Sequence, residues 1–342
     1  SNVSISNNYT NVKGAGFASH IKFDGAKLLY DSESKTTHIF GCNISDIQMS
    51  RIGTAGAVIE HKGGNTMGVA RWFMSNILIS GSTGSGIKLA GSWIGDMAAI
   101  TIMSCASYGL EMVLATDGLS SANAIKIHGG EIYNGSAYGC YFEVVSGVSF
   151  FGTTVEGNEG GGINLAANCR NVNLYGCYFE GNGSVSADAD ILVGDIAHSV
   201  GTAVGYGLGV YGCVFWDSTT NKDYAIELSR MQHAFISGSA FNGYVSGGIN
   251  NNPALENQVT GTVRESITTV GVLVNGEDHL FRRVIEETQF TGSATLDFPS
   301  IASGAEAVLT LTVTGAAPGD FVQVATAQNL QGLSLTGNCH VA

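Results

Sequence analysis

The sequence predicts an all-β solenoid, a parallel β-helix, on three observations. Two ladders of similar phrases recur at one period, the apolar runs are too short for helices, and glycine and asparagine punctuate between them. Ile79, Ile102, Ile132, Val155, Phe179, Phe215 and Phe241 form the first ladder. Three of its phrases read Gly152-Thr153-Thr154-Val155-Glu156, Gly176-Cys177-Tyr178-Phe179-Glu180 and Gly212-Cys213-Val214-Phe215-Trp216. The steps between rungs are 23, 30, 23, 24, 36 and 26 residues. A base period near 23 with insertions marks a repeat architecture. The second ladder has the form Gly-Ile-x-Leu and runs through Ile87, Leu110, Cys140, Ile163, Ile226 and Ile249; its compact steps are again 23. Each phrase alternates apolar and polar residues, as half-buried strands do. Short strands stacked at a fixed period bury a shared core only by coiling.

Along the chain, the first segment reads Ser-Asn-Val-Ser-Ile-Ser, a strand already under way. We expect a piece of a longer protein, with a preceding N-terminal region missing. The β-helix is assigned to residues 1–262. Bulk on the inner row climbs from Ile to Phe, so later rungs enclose more volume. Insertions fall in two turns: Leu114 to Asn123 and Gly194 to Gly207 extend one, and Gly183 to Asp188 and Ser218 to Lys222 extend another. Excursions from solenoid turns typically build a binding face. The ladder phrases stop near Asn252-Pro253. Residues 263–290 are more charged and read as a linker or neck. A small β-sandwich is expected over 291–342, for trimerisation or carbohydrate binding. Ala307 to Val313 is its clearest strand, and Ala317-Pro318-Gly319-Asp320 is a turn signal.

Composition narrows the function classes. The net charge of −13 argues against nucleic acid as partner, since phosphate binding needs clustered Lys and Arg. Arg282-Arg283 lies next to Glu286-Glu287 and reads as a solvated ion-pair face. No apolar run has the length of a membrane span. The seven Cys form no CxxC pair and read as small buried hydrophobes, which suits assembly in a reducing cytoplasm. Gly160-Gly161-Gly162 leads into a strand rather than a helix, so it is a turn and not a phosphate loop.

Val155-Glu156-Gly157-Asn158 and Phe179-Glu180-Gly181-Asn182 resemble phrases of bacteriophage tailspike proteins with a pectate-lyase-like right-handed parallel β-helix. The segment Leu296 to Ile301, with Ala317 to Asp320, is similar to C-terminal modules that close phage tail proteins. The resemblance covers roughly residues 40 to 342 of the chain. It implies a right-handed coil and a homotrimer attached to the tail baseplate through the missing N-terminal region. Such a protein assembles in the host cytoplasm, ends in the virion tail, and binds and usually cleaves a bacterial surface polysaccharide, O-antigen or capsule.

The period also gives a register for the surface. If Phe179 and its equivalents point inward, their neighbours point outward. One outer column then holds Tyr133, Glu156, Glu180 and Trp216, and a parallel one holds Glu131, Thr154 and Tyr178, with Asp217 flanking. Glycan cleavage needs one carboxyl to protonate the leaving oxygen and another to attack or to activate water. Glu156 and Glu180 are the candidate pair. Their one-rung separation fits the retaining distance, and other rotamers reach the inverting one. Glu131, Tyr133, Tyr178, Trp216 and Asp217 are candidate substrate contacts, with aromatic faces against sugar rings. A structural alternative stands beside this, because Glu-Gly-Asn is a good turn phrase in which Asn158 and Asn182 can stack as a ladder. Trp216 reads first as a sugar platform, with a subunit-interface anchor as the alternative. His128 falls in one row with Phe151, Tyr175 and Tyr211; it could act as a base, but reads as part of a structural polar row. Asp188, Asp190 and Asp195 match no calcium loop and read as solvating residues. Neither a metal nor a cofactor is expected. Hydrolysis is preferred over β-elimination because the strip has no cation to neutralise a uronate. A non-cleaving trimeric adhesin is the third possibility.

Overall fold

The computed structural model describes residues 3–5, 9–32, 38–64, 67–115, 118, 121–166, 168–183, 189–195, 205–217, 222–228, 231–232, 234–244, 247–251, 264–266 and 274–275. The expected sandwich at 291–342, most of the 263–290 linker and Asp188 lie outside these residues.

The described chain is a parallel β-helix with three strand faces. The first face is an 11-stranded sheet whose register runs Ile59↔Ile87, Ile87↔Leu110, Leu110↔Cys140 and Cys140↔Ile163. It continues Ile163↔Ile191, Ile191↔Ile226 and Ile226↔Ile249. The second ladder therefore stacks as expected, with one rung added. Ile191 fills the gap between Ile163 and Ile226, and its phrase Asp190-Ile191-Leu192-Val193 lacks the glycine that marks its neighbours. The other two faces are joined. Val69–Ser82 and Ser92–Cys105 run through both. In later coils each of these long strands divides in two, as in Val145–Phe151 and Thr154–Glu156.

Most bends are made by a single residue in the left-handed region; the corner before Glu131 uses two, Gly129 and Gly130 (φ 60° and 81°). Between the second and third faces these are Asp46, Asn76 and Ala99 (φ 57°, 52° and 51°), then Gly152, Gly176, Gly212 and Gly238 (φ 62°, 59°, 60° and 64°). After the third face they are Gly81, Ser104, Asn134, Gly157 and Gly181. A Cβ raises the cost of this conformation, so glycine dominates and Asn is next best.

The first ladder is the inner row of the third face. Its partners run Ile79↔Ile102↔Ile132↔Val155↔Phe179↔Phe215↔Phe241. Phe179 and Phe215 are fully buried and stack at 4.7 Å, and Phe215 stacks on Phe241 at 4.9 Å. Each fully buried ring contributes about 2–3 kcal/mol relative to exposure. The insertions expected at Leu114 to Asn123, Gly194 to Gly207, Gly183 to Asp188 and Ser218 to Lys222 lie largely outside the described residues; in chain order the first two fall between strands of the first and second faces, and the last two between strands of the third and first. Arg264–Ser266 and Val274–Asn275 pair in parallel with Phe235–Ser237 and Gly247–Asn251. The six described cysteines are free and buried, in keeping with their reading as small hydrophobes.

One polar group sits deep in the N-terminal coils. His61 is fully buried, edge-on to Tyr30 and Trp72 with ring centroids 5.0 Å away in each case, and its Nδ1 meets the Ser92 hydroxyl at 2.9 Å. Its Nε2 finds no hydrogen-bond partner, nor do Tyr30 Oη and Trp72 Nε1. Burial pushes the His61 imidazole down to about 3. The folded state therefore holds it neutral, whereas the unfolded chain protonates it below about pH 6.5. This contribution to stability is intact above that pH and is lost as pH falls toward 3. Between pH 7 and pH 5 the loss is about 2 kcal/mol. His61→Leu is expected to flatten the pH dependence of the unfolding midpoint over that range. An unchanged slope in denaturant titrations at the two pH values would contradict it.

Candidate functional site

The third face presents its alternate residues outward, as the register requires. One column pairs Met103↔Tyr133↔Glu156↔Glu180↔Trp216↔Asn242, and the other Thr101↔Glu131↔Thr154↔Tyr178↔Val214↔Ala240. Glu131 is exposed, Tyr133, Glu156, Tyr178 and Glu180 are half-buried, and Trp216 is 44 % exposed. Six of the seven candidate residues thus share one surface strip. Asp217 is not on it. Its side chain is buried, and its Oδ2 accepts a hydrogen bond from the Lys222 backbone N–H at 2.6 Å. Trp216 points outward as the last residue of its strand, so alternation turns its neighbour Asp217 inward.

The turn beneath each glutamate is anchored from inside. Asn158 and Asn182 are buried, and Asn158 Nδ2 donates to Asn182 Oδ1 at 2.9 Å. Asn158 Nδ2 also bonds the Ile132 carbonyl, Asn182 Nδ2 the Val155 carbonyl, and Asn158 Oδ1 accepts from Gly135 N–H. This is the turn ladder expected from the Glu-Gly-Asn phrase. It continues into charge: Asn182 Nδ2 reaches Asp190 Oδ1 at 2.9 Å, and Lys222 Nζ reaches the same oxygen at 2.8 Å. The Tyr244 hydroxyl bonds Asp190 Oδ2. Asp190 and Lys222 are both fully buried, so Asp190 is a buried ion-pair partner and not a solvating residue. Burial pushes its carboxyl up, and Lys222, Tyr244 and Asn182 oppose that shift. Asp195 closes a strand of the first face.

Electrostatically the strip is acidic. The Glu156 carboxyl is raised above the usual range, first by partial burial and then by the nearby charges of Glu180 and Glu131. Tyr178 Oη donates to Glu180 Oε2 at 2.7 Å, which pushes the phenol up to about 12. Tyr133 donates its hydroxyl to Met103 Sδ at 3.1 Å.

Across the corner from the strip lies a feature the sequence only half disclosed. His128, Phe151, Tyr175 and Tyr211 stack face to face at 4.9, 5.0 and 5.0 Å, nearly parallel, and Phe235 extends the stack at 5.4 Å. His128 Nε2 also lies 3.9 Å from Asp96 Oδ1. The row expected to be polar is an outward aromatic ladder. Its signal was the recurring aromatic-Gly dipeptide, Phe151-Gly152, Tyr175-Gly176 and Tyr211-Gly212. The corner between ladder and strip holds an open depression of about 430 Å³, lined in part by Thr101, Gly130, Glu131, Gly152 and Thr154. A Cβ at Gly152, Gly176 or Gly212 would meet nothing within 4 Å. Among the described residues no cluster of His, Cys, Asp or Glu is arranged to hold a metal ion, and no helix is long and apolar enough to cross a membrane.

Comparison with known proteins bears on the fold. The model of the family described as "Right handed beta helix region" matches residues 1–179. Among solved structures, the chain is similar to ORF18 of Geobacillus virus E2, at 13% identity and a TM-score of 0.55, covering 78% of this chain and 50% of that one. It is also similar to the A-module of mannuronan C-5 epimerase AlgE6 from Azotobacter vinelandii, at 13% identity and a TM-score of 0.47, covering 78% of this chain and 89% of that one. This chain therefore spans half the length of the viral protein. No curated protein matches the sequence.

The buried network predicts a sharp stability effect. Removing one partner of a buried ion pair leaves an uncompensated charge, at a cost of about 3–5 kcal/mol. Lys222→Met is expected to lower the urea midpoint accordingly, and Asp190→Asn added to it to recover part of the loss. A double variant no more stable than Lys222→Met alone would show that the two residues are not coupled.

Proposed function

The chain belongs to the right-handed β-helix family, and on that premise we propose that it is a bacteriophage tailspike that binds a bacterial surface polysaccharide, O-antigen or capsule, and hydrolyses it. The observation that carries this reading is the direct register of Glu156 on Glu180, two outward carboxyls on neighbouring rungs flanked by Tyr178 and Trp216. Strands in register stand about 4.8 Å apart, close enough for both carboxyls to serve one glycosidic bond. One carboxyl gives its proton to the glycosidic oxygen as the C–O bond breaks, and that oxygen leaves with the bonding pair. A water hydroxyl ends on the anomeric carbon, and the water's remaining proton restores the carboxyl pair. The sum is one water added per bond cleaved.

Other features fit the same reading. Glu131, Tyr133, Tyr178 and Trp216 supply hydrogen-bonding groups and ring faces along the strip, and the adjoining corner depression gives a polymer room to lie. A β-eliminating lyase requires a cation beside the uronate. None of the strip residues is Lys or Arg, which favours hydrolysis.

Purified protein incubated with O-antigen and capsular polysaccharides is expected to shorten one of them and to release reducing ends. Glu156→Gln and Glu180→Gln should each lower kcat by about 10²–10⁴-fold while binding persists. If both variants cleave at the wild-type rate, this pair is not the catalytic one. An unsaturated uronate product would instead indicate a lyase, and binding with no cleavage by wild type an adhesin. The proposal extends to a homotrimer attached to the tail baseplate. Light scattering should then give about three times the chain mass of 35.4 kDa, and a value near one chain mass removes the trimer.

A further inference from the structure

We infer that Tyr178 is a positioning residue that distinguishes the two glutamates, holding Glu180 as the unprotonated member and leaving Glu156 as the proton donor. This rests on the reading of the pair given above and supplies what that reading lacks, the assignment of roles.

The two glutamates start out nearly equivalent. They occupy the same column on adjacent rungs, and each follows an inward hydrophobe and precedes Gly-Asn: Val155-Glu156-Gly157-Asn158 and Phe179-Glu180-Gly181-Asn182. Each turn is held by its buried asparagine. Two like carboxyls side by side resist ionising together, so the site needs something to decide which one keeps the proton. The difference lies two residues earlier. Side chains at i and i+2 share a face, and that position is Thr154 on one rung and Tyr178 on the next. Tyr178 Oη reaches Glu180 Oε2 at 2.7 Å. Glu156 accepts no such bond from Thr154, whose hydroxyl sits on a one-carbon stem. A donated hydrogen bond stabilises the charged form of a carboxyl. Glu156 faces the opposite pressure, partly buried and flanked by the charges of Glu180 and Glu131. Among the described residues, the titratable groups around the pair are Glu131, Tyr133 and Tyr178 on the strip, with Tyr244 and Lys222 below, both engaged with Asp190.

Tyr178→Phe tests this, because it removes the donor and keeps the ring. The acid limb of the kcat/KM pH profile should move toward higher pH while the alkaline limb stays in place. In a Glu180→Gln background the fold-loss caused by Tyr178→Phe should be smaller than in wild type, since part of its effect runs through the bond to Glu180. A second measurement is independent of turnover. In ¹³C-carboxyl-labelled protein followed by NMR, Tyr178→Phe should change the gap between the Glu156 and Glu180 carboxyl resonances, because only Glu180 loses a hydrogen bond. An unmoved acid limb and an unchanged NMR gap in Tyr178→Phe, in a protein that Glu180→Gln inactivates, would overturn the role of Tyr178 and leave the pair standing. Wild-type rates in Glu156→Gln and Glu180→Gln would instead overturn the pair, and the role of Tyr178 with it.

Discussion

Every coil depends on corner residues that turn the chain through the left-handed region at fixed register positions. Such a residue costs about 1–2 kcal/mol when it carries a Cβ, and this chain accepts that cost at the corner residues Ala99 and Ser104, and again within strands of the second face at Ala124 and even at β-branched Ile94. The cost is tolerated because the rungs above and below over-determine the conformation. Pairs such as Ile77↔Ile100 and Ser75↔Ala98 bracket the corner on both sides and leave Asn76 and Ala99 no other geometry. With the corners aligned, inner columns can stack without drift, and the outer columns follow. A slip of one residue would turn each strand inside out.

The site is built on that alignment twice over. From outside, the register brings Glu156, Glu180 and Trp216 into one column although they are far apart in sequence. From inside, Asn158 and Asn182 tie down the turns that follow the two glutamates, and Asp190, Lys222 and Tyr244 complete their hydrogen bonding. A buried charge is expensive unless it is paired. This network is fully connected through Asn182 and Asp190, so it fixes the geometry of the turns below an otherwise open surface.

Much of this was legible in the sequence, for a definite reason. A ladder of Ile and Phe at a 23-residue step is a direct image of the core, because each inner residue must match its neighbour in the next rung. Inward and outward positions then follow from a period of two. The failures have definite causes as well. Asp190 and Ile191 lie beside an insertion, where the repeat carries no phase information, whereas Asp217 was set beside the strip although alternation from Trp216 turns it inward. Asp190 read as solvated because its partner Lys222 is remote in sequence and reaches it only through the coil. The character of the aromatic ladder was missed because its rows were judged residue by residue, whereas stacking belongs to the column.

That ladder has one more consequence. Its rings lie parallel, with their faces covered by one another, so what they present sideways is the ring edge. An aromatic edge carries the positive side of the quadrupole and the face the negative side. The wall opposite, at Glu131 and its neighbours, is anionic. The corner between them is therefore polarised across its width, weakly positive on one bank and negative on the other, so that a dipolar group lying in it has a preferred way round.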